Sequence, residues 1–398
     1  MNILVINSGS SSIKFQLIQM PAEKVLCKGL LERIGLEDSI FSYNKGSSSH
    51  KEKTQIPNHG VGLDKISQFL LNPSQELISS VSDIDIVGHR VVHGGSKFNA
   101  PTKVTPEVLK EIEALSFLAP LHNPANAEGI RVAMNVFKDA EQIAVFDTAF
   151  FQTLPEVAYT YAIPKDIALK HKIRAYGFHG TSHKYVSEKA NSILKKKQSK
   201  IITIHLGNGC SITAVKNGKS IDHSLGFSPT NGLVMGTRCG DIDQSIIFYM
   251  MENLNLTGQE VSDILQKKSG LLGLTGHSDL REIEEKAKAG NPDCILALKL
   301  SAYRIKKYIG SYITVLSGID AIVFTAGIGE NSSTLRKLIC ESLECFNIQL
   351  DKESNNLKID GIRDIGSASS STRILVIPTN EELEIAKQSY SLSNIIPK

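Results

Sequence analysis

The sequence predicts an α/β protein built from two related domains. Three observations lead there. A strand-turn-strand pattern occurs twice, about half a chain apart. The copies are Ile3-Leu4-Val5-Ile6-Asn7-Ser8-Gly9-Ser10-Ser11-Ser12-Ile13-Lys14-Phe15 and Ile201-Ile202-Thr203-Ile204-His205-Leu206-Gly207-Asn208-Gly209-Cys210-Ser211-Ile212-Thr213, which agree to within one inserted residue when Gly9 is set against Gly207. Short continuous runs rich in Val and Ile alternate with segments of helical period, which fits strands buried on both faces. The length of 398 residues is also long for one core.

In chain order, the first copy of the repeat forms an N-terminal hairpin. Ser42 to His59 is polar, rich in Ser, Lys and His, and reads as a surface hairpin or loop. Ile84-Asp85-Ile86-Val87 and Gln142-Ile143-Ala144-Val145-Phe146 are buried-type strands. Thr105-Pro106, Asn123-Pro124 and Asn291-Pro292 each set a capping residue before Pro at the first helical position. Lys195-Lys196-Lys197 ends a solvated helix, and Thr257-Gly258-Gln259-Glu260 is a capping box. Pro292 to Leu316 is the longest helix candidate. Ala321-Ile322-Val323-Phe324 is another buried-type strand, followed by a glycine turn with Asn331 placed to cap the next helix. Ile374 to Ile377 is the last strand, and a helix follows from Asn380 to Ser391. A boundary after Asp147-Thr148 divides the chain into a first domain of 1–149, completed by 380–398, and a second of 150–379.

Composition is that of a soluble globular protein, 41% apolar and 21% charged. A net charge of +3, without a dense Lys/Arg block, argues against a nucleic-acid surface. No apolar stretch is long enough to span a bilayer, and the N-terminus enters a strand pattern without a basic leader. Six scattered cysteines with no CxxC pair fit a reducing compartment. The expectation is a cytoplasmic enzyme with no membrane or nucleic-acid partner.

Asn7-Ser8-Gly9-Ser10-Ser11-Ser12 offers backbone N–H groups and hydroxyls in a small space, and such nests bind phosphate. Lys14 follows on the second strand, within reach of a phosphate. The order of a Walker A loop is absent, and a strand rather than a helix follows. One copy alone reads as a plain hairpin turn. Two copies suggest paired loops clamping one nucleotide, hence phosphoryl transfer. Gly327-Ile328-Gly329-Glu330-Asn331, after a buried strand, is a further place for a nucleotide, without the full dinucleotide fingerprint.

His89 and His93 are four apart, but on a strand that spacing separates them by about 13 Å, so a metal pair is rejected. Arg90, just beyond a buried strand, suits gripping an anion. His179 lies between glycines before a helix start, where a lone His is more often structural. Arg238 lies in a second glycine turn, and Cys239 beside it, with no ordered His partner, is a bystander. Asp147 ends a strand and Glu381 opens the last helix. Carboxylates so placed orient a nucleophile or hold Mg²⁺, which takes one or two carboxylates plus phosphates and waters. For Glu381, simple helix-dipole stabilisation is the alternative.

Eight segments then run in a familiar order: NSGSSSIKF, VGHRVVHGG, FDTAFF, YGFHGTSHKYV, HLGNGCSI, MGTRCGDID, FTAGIGEN and PTNEE. Together they resemble the acetokinase family, within the superfamily of acetate and sugar kinases, actin and heat-shock chaperone ATPases. The resemblance implies two duplicated actin-like (ribonuclease H-like) ATPase domains with a nucleotide cleft between them, the second domain being the nucleotide-binding one. It implies ATP and ADP as nucleotides and Mg²⁺ as cofactor, with Mn²⁺ able to substitute, and a homodimer. By the same resemblance Asn7 and Glu381 contact the metal and Lys14 the nucleotide. Arg90 binds the carboxylate substrate, and Val92, Leu121, Phe178 and Pro229 form a small apolar pocket for its methyl group. Asp147, His179 and Arg238 take the catalytic roles. His205, Leu206, Gly207, Asn208 and Gly209 form the second phosphate loop. Asp279, Leu280 and Arg281, with Gly327, Ile328, Gly329, Glu330 and Asn331, lie on the adenosine side.

The implied reaction is ATP + acetate ⇌ ADP + acetyl phosphate. Acetate is already ionised, so general-base power matters little. Bringing one anion to another makes positioning and charge stabilisation dominant, which suits two arginines, Mg²⁺ and His179. Asp147 then orients groups more readily than it removes a proton. A direct in-line transfer is expected. The alternatives are a kinase for a longer acid such as propionate or butyrate, and an actin-like ATP-dependent conformational protein, which would need no Arg90 with an apolar pocket.

Overall fold

The computed structural model describes residues 1–395, so the last three residues of the segment 380–398 lie outside the described residues. The chain divides into two compact units. Met1–Phe150 and the segment from Asn380 onward form unit 1; Phe151–Thr379 forms unit 2.

Unit 1 is organised by an eight-stranded sheet. Its strands are β1 (Asn2–Ser8), β2 (Ser12–Gln19), β3 (Lys24–Glu32), β4 (Ile40–Lys45), β5 (Ser48–Lys53), β6 (Ile86–Val91), β7 (Thr102–Lys103) and β8 (Glu141–Phe146). Their order is β5-β4-β3-β2-β1-β6-β8-β7. The run β1 to β5 is an antiparallel meander, so the polar Ser42 to His59 stretch contains a surface hairpin. Beyond β1 the sheet turns parallel through β6 and β8. Ile3, Leu4, Val5 and Ile6 are all buried, as a strand covered on both faces requires. The helices Asn123–Val136 and Glu381–Ile395 both pack on β1, β6 and β8. Close approach of the latter depends on Gly88, where a Cβ would lie 2.9 Å from Ser389 Oγ and 3.0 Å from Ile385 Cγ2.

Unit 2 repeats the plan with six strands: β9 (Lys200–Leu206), β10 (Cys210–Lys216), β11 (Lys219–His223), β12 (Ala321–Thr325), β13 (Arg363–Asp364) and β14 (Arg373–Val376), in the order β11-β10-β9-β12-β14-β13. Its antiparallel β11-β10-β9 and parallel β9-β12-β14 match β3-β2-β1 and β1-β6-β8 strand for strand. The duplication seen in two hairpins therefore extends to five strands of each sheet. The single inserted residue is real: Ser8 pairs with Ile13, whereas Leu206 pairs with Cys210. The helices Gly180–Leu194 and Pro292–Leu316 pack on this sheet. Pro292–Leu316 keeps the predicted bounds and buries Ala297, Leu298, Ile305, Ile309 and Leu316 as core.

Four local expectations are corrected. Asn123 does not cap its helix; His122 holds that position, and the Asn123 side chain bonds the backbone N–H and carbonyl of His93 instead. The segment after β12 is a short helix, Ala326–Asn331, not a glycine turn. Ser332, rather than Asn331, caps the following helix, because the Asn331 amide donates back to the Gly327 carbonyl. Arg90 lies within β6, not beyond it. The caps at Thr105 and Asn291 and the capping box at Thr257 are present as expected.

Candidate active site

In unit 1 the parallel strands deliver three side chains side by side at their carboxyl ends, the usual ligand position of such sheets. Ile6 pairs with His89, which sets Asn7 beside Arg90, and Asp147 follows the last residue of β8. The Arg90 guanidinium donates from Nε (3.0 Å) and Nη2 (2.6 Å) to Asp147 Oδ2, and from Nη1 to Asn7 Oδ1 at 3.4 Å. Asp147 is buried, 1% exposed. Burial opposes the Arg90 charge, but the carboxylates of Asp147, Glu381 and Glu382 outweigh it and raise its pKa.

The last helix of unit 1 opens on two acids. Lys14 Nζ lies 2.6 Å from Glu382 Oε1, and Gln16 Nε2 donates to the other oxygen at 3.4 Å. Among the described residues, the charged groups around Glu381 act on it through space. Burial pushes its pKa up, Arg90 and Lys14 pull it down, and Asp147 and Glu382 push it up further. Three carboxylates thus face two cations, an excess of negative charge that a divalent cation would relieve. The amide oxygen of Asn7 and the carboxylate of Glu381 are the hard oxygen donors Mg²⁺ prefers. Among the described residues no cluster of three or more His, Cys, Asp or Glu side chains could hold a metal by itself. The donor set therefore fits an ion completed by water and phosphate oxygens.

The bonds that hold the first glycine loop include these three. Gly9 N–H donates to the Ser12 carbonyl at 2.8 Å, Asn126 Nδ2 to the Ser8 carbonyl at 2.6 Å, and His59 Nε2 lies 2.7 Å from the Gly9 carbonyl. Asn126 also accepts from Val92 N–H at 3.0 Å. Val92 is half-buried and Leu121 is 64% exposed, so unit 1 contributes two of the four expected apolar residues.

In unit 2, His179 stands at the N-cap of Gly180–Leu194 with φ of 60°, a left-handed conformation. Its Nδ1 is 2.9 Å from Ser211 Oγ, and its ring stacks on His205 at 4.4 Å. Arg238 is half-buried; desolvation lowers its pKa, and Nη1 donates to the Pro229 carbonyl at 3.0 Å. The loops are zipped together by Gly236 N–H to the Asn208 carbonyl, 3.0 Å. Gly209 is bare where His179 and Arg238 converge. A Cβ there would lie 3.4 Å from His179 Nε2 and 3.7 Å from Arg238 Nη1. Phe178 is buried, its N–H donating to His223 Nε2, and Pro229 is half-buried. Cys239 donates to the Gly240 carbonyl and burial raises its pKa, so it is an inert thiol.

A cavity of about 550 Å³ gathers the three nucleotide-side segments: Gly207 and Asn208, Asp279 to Arg281, and Gly327, Ile328 and Asn331. Asp279 caps the helix Leu280–Lys288 and pairs with Arg281 at 2.6 Å, which pulls its pKa down to about 2. Leu206 and Gly329 are buried. Glu330 turns elsewhere, accepting from Thr379 N–H at 3.3 Å, and burial raises its pKa.

Sequence reasoning missed Glu382, Asn126, Ser211 and His183. Glu382 carried a faint mark, adjacency to Glu381. The others are ordinary residues whose partners lie on distant elements.

The sequence model of the Acetokinase family matches residues 2–387. The acetate kinase of Flavobacterium johnsoniae is 59% identical over 392 residues, covering 98% of this chain and 99% of that relative. A crystal structure of Porphyromonas gingivalis acetate kinase superposes with a TM-score of 0.94 at 43% identity, covering 98% of this chain and 99% of that one. A propionate kinase from Francisella tularensis gives 0.92 at 42% identity, with the same coverage.

Proposed function

The chain belongs to the acetokinase family, and on that premise we propose that it transfers the terminal phosphoryl group of ATP to acetate, reversibly, giving ADP and acetyl phosphate. The observation that carries this reading is the match to acetate kinases along almost the whole chain, one of them at 59% identity. The fold supports it: two units of matching topology, each with a glycine hairpin beside its parallel strands, as in actin-like ATPases.

Arg90, fixed on Asp147, binds the acetate carboxylate, and Val92, Leu121, Phe178 and Pro229 contact the methyl group. A carboxylate oxygen attacks the γ-phosphorus. The bond to the bridging oxygen breaks, and ADP leaves with the electron pair. His179 and Arg238 stabilise charge on the phosphoryl oxygens. Lys14 and the loop His205, Leu206, Gly207, Asn208 and Gly209 hold phosphates. The adenosine side falls to Asp279, Leu280, Arg281 and Gly327 to Asn331, the cavity described above. Asn7 and Glu381 hold the divalent ion, Mg²⁺ with Mn²⁺ able to substitute; when bound it neutralises phosphate charge. Asp147 orients Arg90 and removes no proton, since acetate has none to give.

Transfer in line predicts inversion at a chiral phosphorus; net retention would mean a phosphoenzyme instead. A second reading, transfer to a longer acid, is favoured by the likeness to a propionate kinase. One methylene is worth about 1–3 kcal/mol in such a pocket. Trapping the acyl phosphate as hydroxamate with acetate, propionate and butyrate separates the two: acetate should give the highest kcat/KM, and a higher value for a longer acid would overturn the assignment.

The protein works as a homodimer in the cytoplasm. Supporting this, the helix Ser245–Asn253 buries none of its residues and exposes Ile246, Phe248, Tyr249 and Met251. The six cysteines are all free thiols, and no helix of the described residues is long and apolar enough to cross a membrane.

A further inference from the structure

The hydroxyl groups behind His179 decide which of its ring nitrogens carries the proton. Thr203 is fully buried on β9, and among the described residues its Oγ1 meets one partner, His183 Nδ1 at 2.7 Å. Ser211 is fully buried on β10 and serves two imidazoles: its Oγ lies 2.7 Å from His183 Nε2 and 2.9 Å from His179 Nδ1. His183 is itself fully buried. Desolvation, reinforced by His223, His205 and His179, lowers its pKa well below the usual range, so it is neutral with a single N–H.

A hydroxyl has one hydrogen to give, and a neutral imidazole has one donor and one acceptor. One direction gives every hydrogen an acceptor. Thr203 donates to His183 Nδ1, His183 Nε2–H donates to Ser211, and Ser211 donates to His179 Nδ1. The reverse direction leaves the Thr203 hydrogen without an acceptor in a buried site, an unmade bond at full desolvation cost. With Nδ1 of His179 accepting, its proton sits on Nε2, the atom near Gly209 and Arg238.

The neighbouring imidazole obeys the same rule. Thr379 Oγ1 donates to Ser182 Oγ at 2.9 Å, so the Ser182 hydrogen is directed to His205 Nδ1, 2.8 Å away. His205 Nε2 then faces Gly207, where a Cβ would lie 3.7 Å from it. Two stacked rings, 4.4 Å apart, each take a hydrogen bond at Nδ1 and present Nε2–H toward the second glycine loop.

We propose that Thr203, His183 and Ser211 are positioning residues that fix His179 as its Nε2–H tautomer, so that a neutral imidazole donates to the transferred phosphoryl group. This rests on the reading of His179 as a phosphoryl contact. The direct test is nitrogen NMR of the whole protein labelled with ¹⁵N-histidine, the His179 ring assigned by its loss in His179→Gln. The expected pattern is a bare Nδ1 and a protonated Nε2; a protonated Nδ1 overturns the proposal. The kinetic arm uses Ser211→Ala. It should lower kcat about 10- to 100-fold, as is common when a group orienting a functional imidazole is lost, with KM for both substrates changed less than about twofold. Ser211→Thr, which restores the hydroxyl, should recover most of the rate. If Ser211→Ala is fully active while His179→Ala is not, the relay is refuted and the role of His179 stands. If His179→Ala keeps its kcat, the reading beneath the proposal has failed.

Discussion

Replacing Asp147 by Asn keeps the shape of the side chain and removes its charge, which isolates what the carboxylate does for Arg90. Two N–H groups of Arg90 converge on one oxygen of Asp147, at 2.6 and 3.0 Å, in a site where Asp147 is 1% exposed. Hydrogen bonds to a charged group contribute about 1.5–3 kcal/mol each. An amide oxygen can still accept from the fork but without that charge, so the loss is of the order of one such bond. At about 1.4 kcal/mol per factor of ten, kcat/KM for acetate should fall about 10- to 150-fold, most of it in KM for acetate, because the guanidinium proposed to receive the substrate is less firmly held. Asp147→Ala should fall further, since a partly buried guanidinium then loses its partner, a change that costs about 3–5 kcal/mol. The assay is hydroxamate trapping of acyl phosphate over a titration of acetate at saturating ATP and Mg²⁺. Unchanged kcat/KM in Asp147→Asn would refute the orienting role. So would a collapse of kcat by about four orders of magnitude with KM intact, the mark of a group that takes part in the chemistry.

Arg238→Ala should lose kcat by two orders of magnitude or more while ATP affinity, measured by equilibrium binding, changes only a few-fold; equal losses would place its charge in ground-state binding. Acid should unfold the protein through its buried histidines. Desolvation depresses the pKa of His89 to about 4 and that of His223 to about 3, against about 6.5 in the unfolded chain. The unfolded state takes up those protons first, so stability is full above about pH 6.5 and lost as pH falls toward 4 and then 3, by about 1.4 kcal/mol per histidine per pH unit. Urea midpoints at pH 7.5, 6 and 5 should fall in that order, and a constant midpoint would contradict the burial of neutral rings.

Much of this fold can be read locally. A glycine turn with β-prone residues on either side encodes a hairpin without help from elsewhere, so both glycine loops, the long helix Pro292–Leu316 and most of the caps follow from short windows. One misreading has a distant cause. Asn123 has the local mark of a cap, but the backbone of His93 competes for its side chain, and that competitor is visible only once β6 and the helix are packed. Of the site, the Arg and His residues stood out because reactive side chains near glycines are conspicuous, and Asp147 because it ends a buried strand. Glu382 did not, because its partner Lys14 lies near the other end of the chain. Ser211, Thr203 and His183 come from two strands and a helix, and their meaning lies in who donates to whom, which no linear pattern records.

The return of the chain to unit 1 has a consequence for synthesis. The helix Glu381–Ile395 packs on β1, β6 and β8, and Leu383, Ile385 and Ala386 are buried there. A ribosome makes those strands first and their cover last. Unit 2 ends at Thr379, so all of its residues are in hand before unit 1 has its final helix. The usual N-to-C order of domain maturation is thereby inverted. Until Glu382 emerges to meet Lys14, the nascent protein holds an apolar sheet face open, and a chain cut short just after Thr379 would carry Arg90, His179 and Arg238 yet lack Glu381.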